Sequence, residues 1–245
     1  MRICVAGGTD GAGKTTVAVN TATVLHARGV PVQIVDCDVD NPAVHLFMRP
    51  SGETTREVFG PSREGGAPRR VGTTVRWTRD GMVVVQGRLA PDGPALEESA
   101  PAPASLVIED VKRLAGADGV VVFDCPGGTS GSAEASVKGC HFGILVVDAS
   151  PDGAGQLSAA IDMLRSLGVP YGVVINRYDA GTRDPLDFCQ KAGIPVLMCM
   201  PYSDRLAAAH AGGIPISTTS YEWRRRFNAL WDRAVRTASR SPAAR

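Results

Sequence analysis

The sequence lacks a long hydrophobic run, an excess of charge of one sign and a large aromatic content. Its longest apolar stretches, such as Gly143–Val147, are far shorter than the roughly 20 residues that a membrane-spanning helix needs. The formal net charge is +1 over 245 residues, so no overall field attracts the chain to nucleic acid or anionic lipid. Residues 1–5 lead directly into a glycine-rich loop, which leaves no room for a cleavable signal peptide. We therefore expect a cytoplasmic protein without a nucleic-acid partner.

The chain also lacks any CxxC pair. Its cysteines are too far apart in sequence for a zinc or iron–sulfur half-site: Cys4, Cys37, Cys125, Cys140, Cys189 and Cys199. In a reducing cytosol such cysteines are mostly small buried apolar side chains. Cys37 and Cys125 each adjoin an aspartate, so a metal or cluster shared between two subunits is the alternative for this pair. We prefer the interpretation as core packing.

Apolar runs alternate with helix-length segments through most of the chain. This pattern predicts an α/β fold, with a doubly wound, mostly parallel sheet and helices on both faces. The predicted strands are Ile3–Ala6, Val32–Val35, Val120–Phe123, Ile144–Val147, Val173–Ile175 and Val196–Met198. The predicted helices are Thr15–Arg28, Ser105–Leu114, Gly155–Leu167 and Pro185–Lys191.

Residues 49–103 do not fit this alternation, because they are rich in Gly, Pro, Arg and Glu. Only Thr73–Thr78 and Met82–Gln86 resemble strands, and Arg79-Asp80-Gly81 between them predicts a hairpin turn. We therefore expect one domain over residues 1–245, a P-loop nucleotide-binding domain on the evidence below, with an irregular excursion from the sheet at about residues 49–103.

Residues 8–15 match the pattern G-x-x-x-x-G-K-[ST] between a predicted strand and a predicted helix. Glycines let backbone N–H groups turn onto phosphates, and the helix N-terminus adds partial positive charge. Lys14 is expected to bridge the β- and γ-phosphates, and the Thr15 hydroxyl to bind Mg²⁺. The alternative, a turn that only joins strand to helix, does not require all these fixed positions. The predicted contacts of ATP with magnesium are Gly8, Thr9, Asp10, Gly11, Ala12, Gly13, Lys14, Thr15 and Thr16.

Two acidic sites follow predicted strands. Asp124 ends a buried strand, where a carboxylate would hold magnesium, and the residues after it, 126–129, are flexible enough to move with a γ-phosphate. Asp36-Cys37-Asp38 closes the second strand at the carboxyl edge of the sheet. Strands often end in aspartate for solubility alone, but together with the phosphate loop these two ends favour a magnesium site.

With these motifs the chain resembles the MinD/ParA/Mrp group of P-loop ATPases, and most of all the MinD-type ATPases that carry an inserted ferredoxin domain. The resemblance covers most of the chain apart from about 49–81 and the tail, and is carried by residues 11–16, 36–42, 45–47, 124–130, 137–139, 172–177, 193–195 and Pro201.

The resemblance implies roles for particular residues. Asp38 would orient the attacking water and, with Thr15 and Asp124, belong to the magnesium site. Gly127 matches the second switch segment. Asn176, Arg177 and Pro201 would border the adenine. The family works as ATP-sandwiched dimers, which implies a homodimer or a heterodimer with a paralogous ATPase, and a protein partner.

Two departures from the family pattern matter. The family has a lysine five residues before the P-loop lysine, and it reaches the partner subunit's phosphates; here that position is Thr9, followed by Asp10 in place of glycine. Removing one electrostatic contact of this kind costs about 2–4 kcal/mol of transition-state stabilisation. The ferredoxin insert with its cysteine clusters is also absent, so a built-in cluster is not expected.

Three functions follow. The first is a magnesium-dependent ATPase that acts as a dimeric switch in metallocentre assembly or in positioning a partner complex. The second is an ATP-binding subunit with little hydrolysis of its own. The third is an amide-forming synthetase of the dethiobiotin or cobyrinate type. Gly8-Thr9-Asp10 resembles the phosphate loop of these synthetases. ATP rather than GTP rests on the family resemblance, because residues 176–179 also resemble the guanine motif NKxD.

Glu222–Arg236 carries aromatic and aliphatic residues at helical spacing between arginines. One interpretation is a peripheral membrane contact through residues 222–236. The interpretation that we prefer is a last helix that packs on the core. The histidines His26, His45, His141 and His210 lack metal-ligand spacing, and we assign them no catalytic role.

Overall fold

The computed structural model describes residues 1–49, 52–60, 68–91 and 102–240. Its strands are β1 (Arg2–Gly7), β2 (Val32–Asp36), β3 (Thr54–Gly60), β4 (Arg69–Arg79), β5 (Met82–Leu89), β6 (Val120–Gly127), β7 (Phe142–Asp148), β8 (Tyr171–Asn176) and β9 (Val196–Met200). Its helices are α1 (Lys14–Ala27), α2 (Val44–Phe47), α3 (Pro103–Leu114), α4 (Gly131–Val137), α5 (Gly153–Ser166), α6 (Asp184–Lys191), α7 (Asp204–Ala211), α8 (Ile216–Thr219) and α9 (Tyr221–Arg240).

The strands form one nine-stranded sheet in the order β3-β4-β5-β2-β6-β1-β7-β8-β9. In this spatial order, each neighbouring pair from β5 through β2, β6, β1, β7 and β8 to β9 is parallel, whereas the pairs β3–β4 and β4–β5 are antiparallel. The prediction of a mostly parallel α/β sheet with helices on both faces is therefore confirmed. Strand β1 lies near the centre, between β6 and β7, and open α/β sheets bind ligands at the carboxyl ends of such strands.

The core lies in two layers, one on each face of the sheet. Alternate residues of β1 face opposite layers: Ile3 and Val5 pack with α1 and α9, whereas Cys4 and Ala6 pack with α3, α4 and α5. Both faces of the central strands are covered, which explains their continuous apolar sequences. This arrangement fixes the carboxyl ends of β1, β2 and β6 side by side.

The prediction that residues 49–103 leave the sheet is wrong for the described part of that segment. Strands β3, β4 and β5 extend the sheet beyond β2, and β5 pairs with β2 in parallel from Gln33↔Val83 to Asp36↔Gln86. The turn predicted at Arg79-Asp80-Gly81 joins β4 to β5, with Asp80 and Gly81 at φ of 50° and 87°. Strand β3 was not predicted because it is a polar edge strand with Val58 and Gly60 as its buried residues. Residues 50–51, 61–67 and 92–101 of this segment lie outside the described residues.

Helix α9 packs its apolar face on the core. Its aromatic and aliphatic side chains are buried against the layer formed by α1, with Phe227 and Leu230 fully enclosed: Trp223, Phe227, Leu230, Trp231 and Ala234. The membrane interpretation of residues 222–236 is therefore wrong for this face, since the side chains that would enter a membrane are not exposed. Across the described ranges, no helix is long and apolar enough to cross a membrane.

Candidate nucleotide-binding site

A cavity of about 500 Å³ opens at the carboxyl edge of the sheet, above the start of α1. It brings together ten of the residues predicted from sequence, from four separate segments of the chain. These are Asp10, Gly11, Gly13, Lys14, Thr15, Thr16, Asp38, Asn176, Arg177 and Pro201. The volume lies within the range of pockets that hold small molecules and cofactors.

The loop between β1 and α1 requires glycine at two positions. Gly11 and Gly13 have φ of 75° and 100°, in the left-handed region that L-residues rarely adopt. A Cβ atom on Gly13 would also lie 2.7 Å from Nδ2 of Asn176. Gly13 is the N-cap of α1, and within the described part of the chain no side chain caps the helix, so its first-turn amides lie at the cavity without a side-chain acceptor. A helix start of this kind suits a phosphate.

Lys14 is held by the loop itself. Its Nζ donates to the Thr9 carbonyl oxygen at 2.7 Å and to Oδ1 of Asp10 at 3.4 Å. The ammonium group lies in the cavity wall while the lysine as a whole is buried. The cation that a phosphate would need is thus in place, but in this structure it pairs with the carboxylate at the position of the family's glycine.

Thr9 points away from the cavity. Its hydroxyl donates to Oε1 of Gln156 on α5 at 3.2 Å. Gly8 packs against the same residue, since a Cβ on Gly8 would lie 2.6 Å from the Gln156 carbonyl oxygen. The position at which the family has its cross-dimer lysine therefore holds a side chain bonded to α5.

The Asp124 carboxylate is buried without a hydrogen-bond partner for either oxygen among the described residues. Burial raises its pKa to about 7, against the lowering effects of the Thr15 hydroxyl and the Lys14 ammonium. Burying a carboxylate costs folding free energy, so its presence here calls for another role. A carboxylate beside a hydroxyl offers the oxygen ligands that Mg²⁺ prefers. Asp124 is 1% exposed and is not one of the residues that line the cavity. With Thr15, it would hold a magnesium ion.

Two aspartates at the end of β2 have different environments. Both Asp36 oxygens accept backbone hydrogen bonds, Oδ1 from Asp38 N and Oδ2 from Ala43 N and Val44 N. Asp36 therefore organises the loop that leads into α2. Asp38 lies in the cavity wall, half-buried, and its Oδ1 accepts from Asn41 N at 3.1 Å. Burial raises the pKa of Asp38, with the charge of Asp10 adding to the effect.

Asn176, at the end of β8, contacts the phosphate loop directly. Its Nδ2 donates to the Ala12 carbonyl oxygen at 2.9 Å, and its Oδ1 accepts from Arg177 N. Arg177 has φ of 51°, and its guanidinium donates to Asp148 at 2.7 Å and to the Gly11 carbonyl oxygen at 3.3 Å. With Pro201, these residues line the same cavity as Asp38.

Four of the predicted nucleotide contacts do not line the cavity: Gly8, Thr9, Ala12 and Gly127. Gly8 and Ala12 are packing positions of the loop, whereas Gly127 pairs with Gly7 and lies against Asp10. A Cβ on Gly127 would be 2.8 Å from Asp10 N, so only glycine allows this approach. Their role as nucleotide contacts stays a prediction.

The wall formed by α7 was not predicted from the sequence. Tyr202, Ser203, Leu206, Ala207 and His210 line the cavity, and Asn41 and Ala43 complete it on the α2 side. The sequence does carry a capping pattern for α7, since Ser203 Oγ accepts from Leu206 N at 3.2 Å as an N-cap. The short length of the helix hid that pattern.

The cysteines support the core-packing interpretation. Cys37 and Cys125 are fully buried and belong to the apolar layer that holds α3, α4 and α5. Within the part of the chain that the structure describes, no group of three or more His, Cys, Asp or Glu residues is placed to hold a metal ion.

Comparisons with known proteins agree with the geometry. Residues 3–216 match the model of the CbiA family, the CobQ/CobB/MinD/ParA nucleotide binding domain. An iron–sulfur cluster carrier protein of Pyrococcus horikoshii is 25% identical over 238 residues, which cover 88% of this chain and 78% of that protein.

Two solved structures have the same fold. The cell division ATPase MinD of Pyrococcus furiosus is similar, with a TM-score of 0.70 and 20% identity over 96% of this chain and 98% of that one. The septum site-determining protein MinD of Pyrococcus horikoshii, complexed with Mg-ADP, has a TM-score of 0.69 and 19% identity over 94% and 93%. The resemblance inferred from the motifs is thereby confirmed. The chain belongs to the CobQ/CobB/MinD/ParA family of nucleotide-binding domains.

Proposed function

We propose that this protein is a magnesium-dependent ATPase that acts as a dimeric nucleotide switch. The observation that carries the proposal is the buried Asp124 carboxylate, which has no hydrogen-bond partner among the described residues and lies beside Thr15 and Lys14 at the start of α1. The Thr15 hydroxyl and the Lys14 ammonium offset only part of the cost of burying this charge, since the pKa of Asp124 remains raised to about 7. A magnesium ion held by Asp124 and Thr15 would supply the positive charge that offsets the rest.

In the proposed reaction, water attacks the γ-phosphorus of ATP and the bond to the bridging oxygen of ADP breaks. Lys14 stabilises the charge on the β- and γ-phosphates, and the first-turn amides of α1 bind the phosphate oxygens. Asp38 in the cavity wall orients the attacking water. Mg²⁺, when bound by Thr15 and Asp124, with Asp38 nearby, would neutralise charge on the phosphates.

Asn176, Arg177 and Pro201 would border the base in this proposal. They line the cavity together with Asp38, and Asn176 also bonds to the phosphate loop. The base and the phosphates would therefore bind to parts of one connected wall. The complex of the P. horikoshii MinD with Mg-ADP supports this choice of ligand.

Metallocentre assembly, or the positioning of a partner complex, is the process that we propose for the switch. The relative named as an iron–sulfur cluster carrier supports the first, and the similarity to MinD proteins of cell division supports the second. A homodimer, or a heterodimer with a paralogous ATPase, is proposed from the resemblance to the MinD/ParA/Mrp group.

Hydrolysis of ATP with and without Mg²⁺ tests the proposal. We expect phosphate release by the wild-type protein only with Mg²⁺, and a loss of at least about 100-fold in Lys14→Ala, because one transition-state contact is removed. Lys191→Ala, an exposed lysine on α6, is the matched control and keeps the wild-type rate. Equal rates in Lys14→Ala and the wild type would refute the proposal.

A second candidate function is an ATP-binding subunit with little hydrolysis of its own. It is favoured by Thr9, whose hydroxyl bonds to Gln156 outside the cavity, and by Asp10, whose carboxylate pairs with the Lys14 ammonium group. On this account Thr9→Lys restores the missing cation and raises turnover by about 30-fold or more. Unchanged turnover in Thr9→Lys would show that the missing lysine does not limit the rate.

A further inference from the structure

His210 on α7 bonds to the first turn of α1. Its Nδ1 and the Thr16 hydroxyl share a hydrogen bond of 3.0 Å, and both residues line the nucleotide cavity. Thr16 directly follows the proposed magnesium ligand Thr15, and it is buried. The orientation of its hydroxyl is therefore set by a residue far away in sequence.

The same imidazole ring also packs against α2. It meets the ring of Phe47 edge-on, with centroids 4.9 Å apart and planes at 64°. Phe47 is buried in the core layer that holds α1 and α9. A second contact lies one turn further on, where a Cβ on Gly213 would clash with the Leu46 carbonyl oxygen.

Helix α2 is itself joined to the acidic end of β2. Its first amides, on Ala43 and Val44, donate to Asp36, which is two residues from Asp38 in the cavity wall. One imidazole thus connects the start of α1 with the segment that follows the proposed water-orienting aspartate. Burial lowers the pKa of His210, so at neutral pH the ring acts through its hydrogen bond and its packing rather than through charge.

We propose that His210 is a positioning residue for nucleotide binding, which holds the Thr16 hydroxyl at the cavity wall and transmits occupancy of the cavity to α2 through Phe47. The proposal rests on the nucleotide site proposed above. The hydrogen bond to Thr16 would support the affinity for the nucleotide, and the ring contact with Phe47 would carry the response to α2. These two contacts of His210 can be removed separately.

Three substitutions separate the contacts. His210→Asn places a polar atom near the position of Nδ1 and loses the ring, whereas His210→Phe keeps a ring against Phe47 and loses the hydrogen bond. His210→Ala loses both. His26→Ala, in the last turn of α1 and outside the cavity wall, is the matched control.

The measurements are the Kd for Mg·ATP by calorimetry and hydrogen exchange of the amides of residues 43–48 with and without the nucleotide. In the wild type and His26→Ala, we expect the nucleotide to slow exchange over residues 43–48. The loss of one neutral hydrogen bond predicts a weakening of affinity by about threefold to tenfold in His210→Ala and His210→Phe. His210→Asn should bind within about twofold of the wild type, yet lose the slowing over residues 43–48.

Equal affinity in all variants, or an equal loss in all three, would overturn the proposal, because a merely structural residue does not separate binding from the response of α2. Retained slowing over residues 43–48 in His210→Asn would overturn the transmission to α2. Failure of the wild-type protein itself to bind Mg·ATP would overturn the proposed function and this inference together, and it is seen before any variant is measured.

Discussion

The carboxylate of Asp10 lies 3.4 Å from the ammonium nitrogen of Lys14, within the same phosphate loop. The Asp10 side chain is 82% exposed and that of Lys14 is 6% exposed, so the pair joins a surface acid to an enclosed base. A phosphate that bound to Lys14 would have to displace Asp10 and then lie close to its negative charge. The Asp10 carboxylate therefore competes with a bound phosphate for the Lys14 ammonium group.

Asp10→Asn is expected to tighten the binding of Mg·ATP. It removes the competing charge at the exposed end of the pair, and exposed ion pairs are weak, so the expected gain is roughly twofold to tenfold in Kd. Calorimetry in low-salt buffer measures it. Asp162→Asn, an exposed acid paired with Arg165 on α5, is the control and should leave Kd unchanged. Weaker binding by Asp10→Asn would mean that Asp10 assists the ligand instead.

Gly13→Ala is expected to abolish nucleotide binding and lower stability. Its φ of 100° is strained for alanine, and the new Cβ would meet Asn176 at 2.7 Å. Gly155→Ala on α5 is the opposite case, because nothing lies within 4 Å of its Cβ position. Alanine there should raise the free energy of unfolding by about 0.5–1 kcal/mol. Urea unfolding of both variants checks the pair, and similar effects in the two would contradict the loop geometry.

Asp124 predicts a pH dependence of stability in magnesium-free buffer. Burial raises its pKa to about 7 in the folded state, so the folded protein binds this proton more tightly than the unfolded chain. The group therefore favours folding most at acidic pH and loses that contribution as the pH rises to about 7. Asp124→Asn should raise the free energy of unfolding by roughly 2–4 kcal/mol at pH 8, and by less toward pH 5.

Urea unfolding at pH 5 and pH 8 checks this difference. Asp118→Asn, an exposed aspartate before β6, serves as the control and should not change the pH dependence. A variant Asp124→Asn that is less stable than the wild type at pH 8 would show that the carboxylate has a stabilising partner without any ligand.

The sequence predicted the fold where physical rules act locally. Continuous apolar runs predicted the central strands, since both faces of these strands are buried. The glycine–lysine pattern predicted the loop around Lys14, because its backbone geometry requires glycine at Gly11 and Gly13. Asp38 and Asp124 could be placed at one edge because the carboxyl ends of parallel strands meet there.

The rest depends on contacts that are distant in sequence. Strand β3 is polar because it forms the edge of the sheet, so its pattern does not differ from that of a loop. His210 had no motif, and its place beside Thr16 arises from packing across 194 positions of the chain. The pairing of Lys14 with Asp10 depends on side-chain orientation, which spacing alone does not predict.

Phe227→Ala tests the placement of α9. Phe227 is fully buried, so the truncation should lower the free energy of unfolding by about 3–5 kcal/mol. Arg225→Ala, on the exposed face of the same helix, should change it by less than about 0.5 kcal/mol. Thermal and urea unfolding measure both. Equal small effects would show that the apolar face is not part of the core and would reopen the membrane interpretation.

The most direct test of the account is calorimetric titration of the wild-type protein with ATP, with and without Mg²⁺, beside Lys14→Ala. We expect saturable binding of one nucleotide per chain that is strengthened by Mg²⁺ and lost in Lys14→Ala, while Lys191→Ala binds like the wild type. Absence of heat with ATP and Mg²⁺ in a folded wild-type protein, or equal binding by Lys14→Ala, would contradict it.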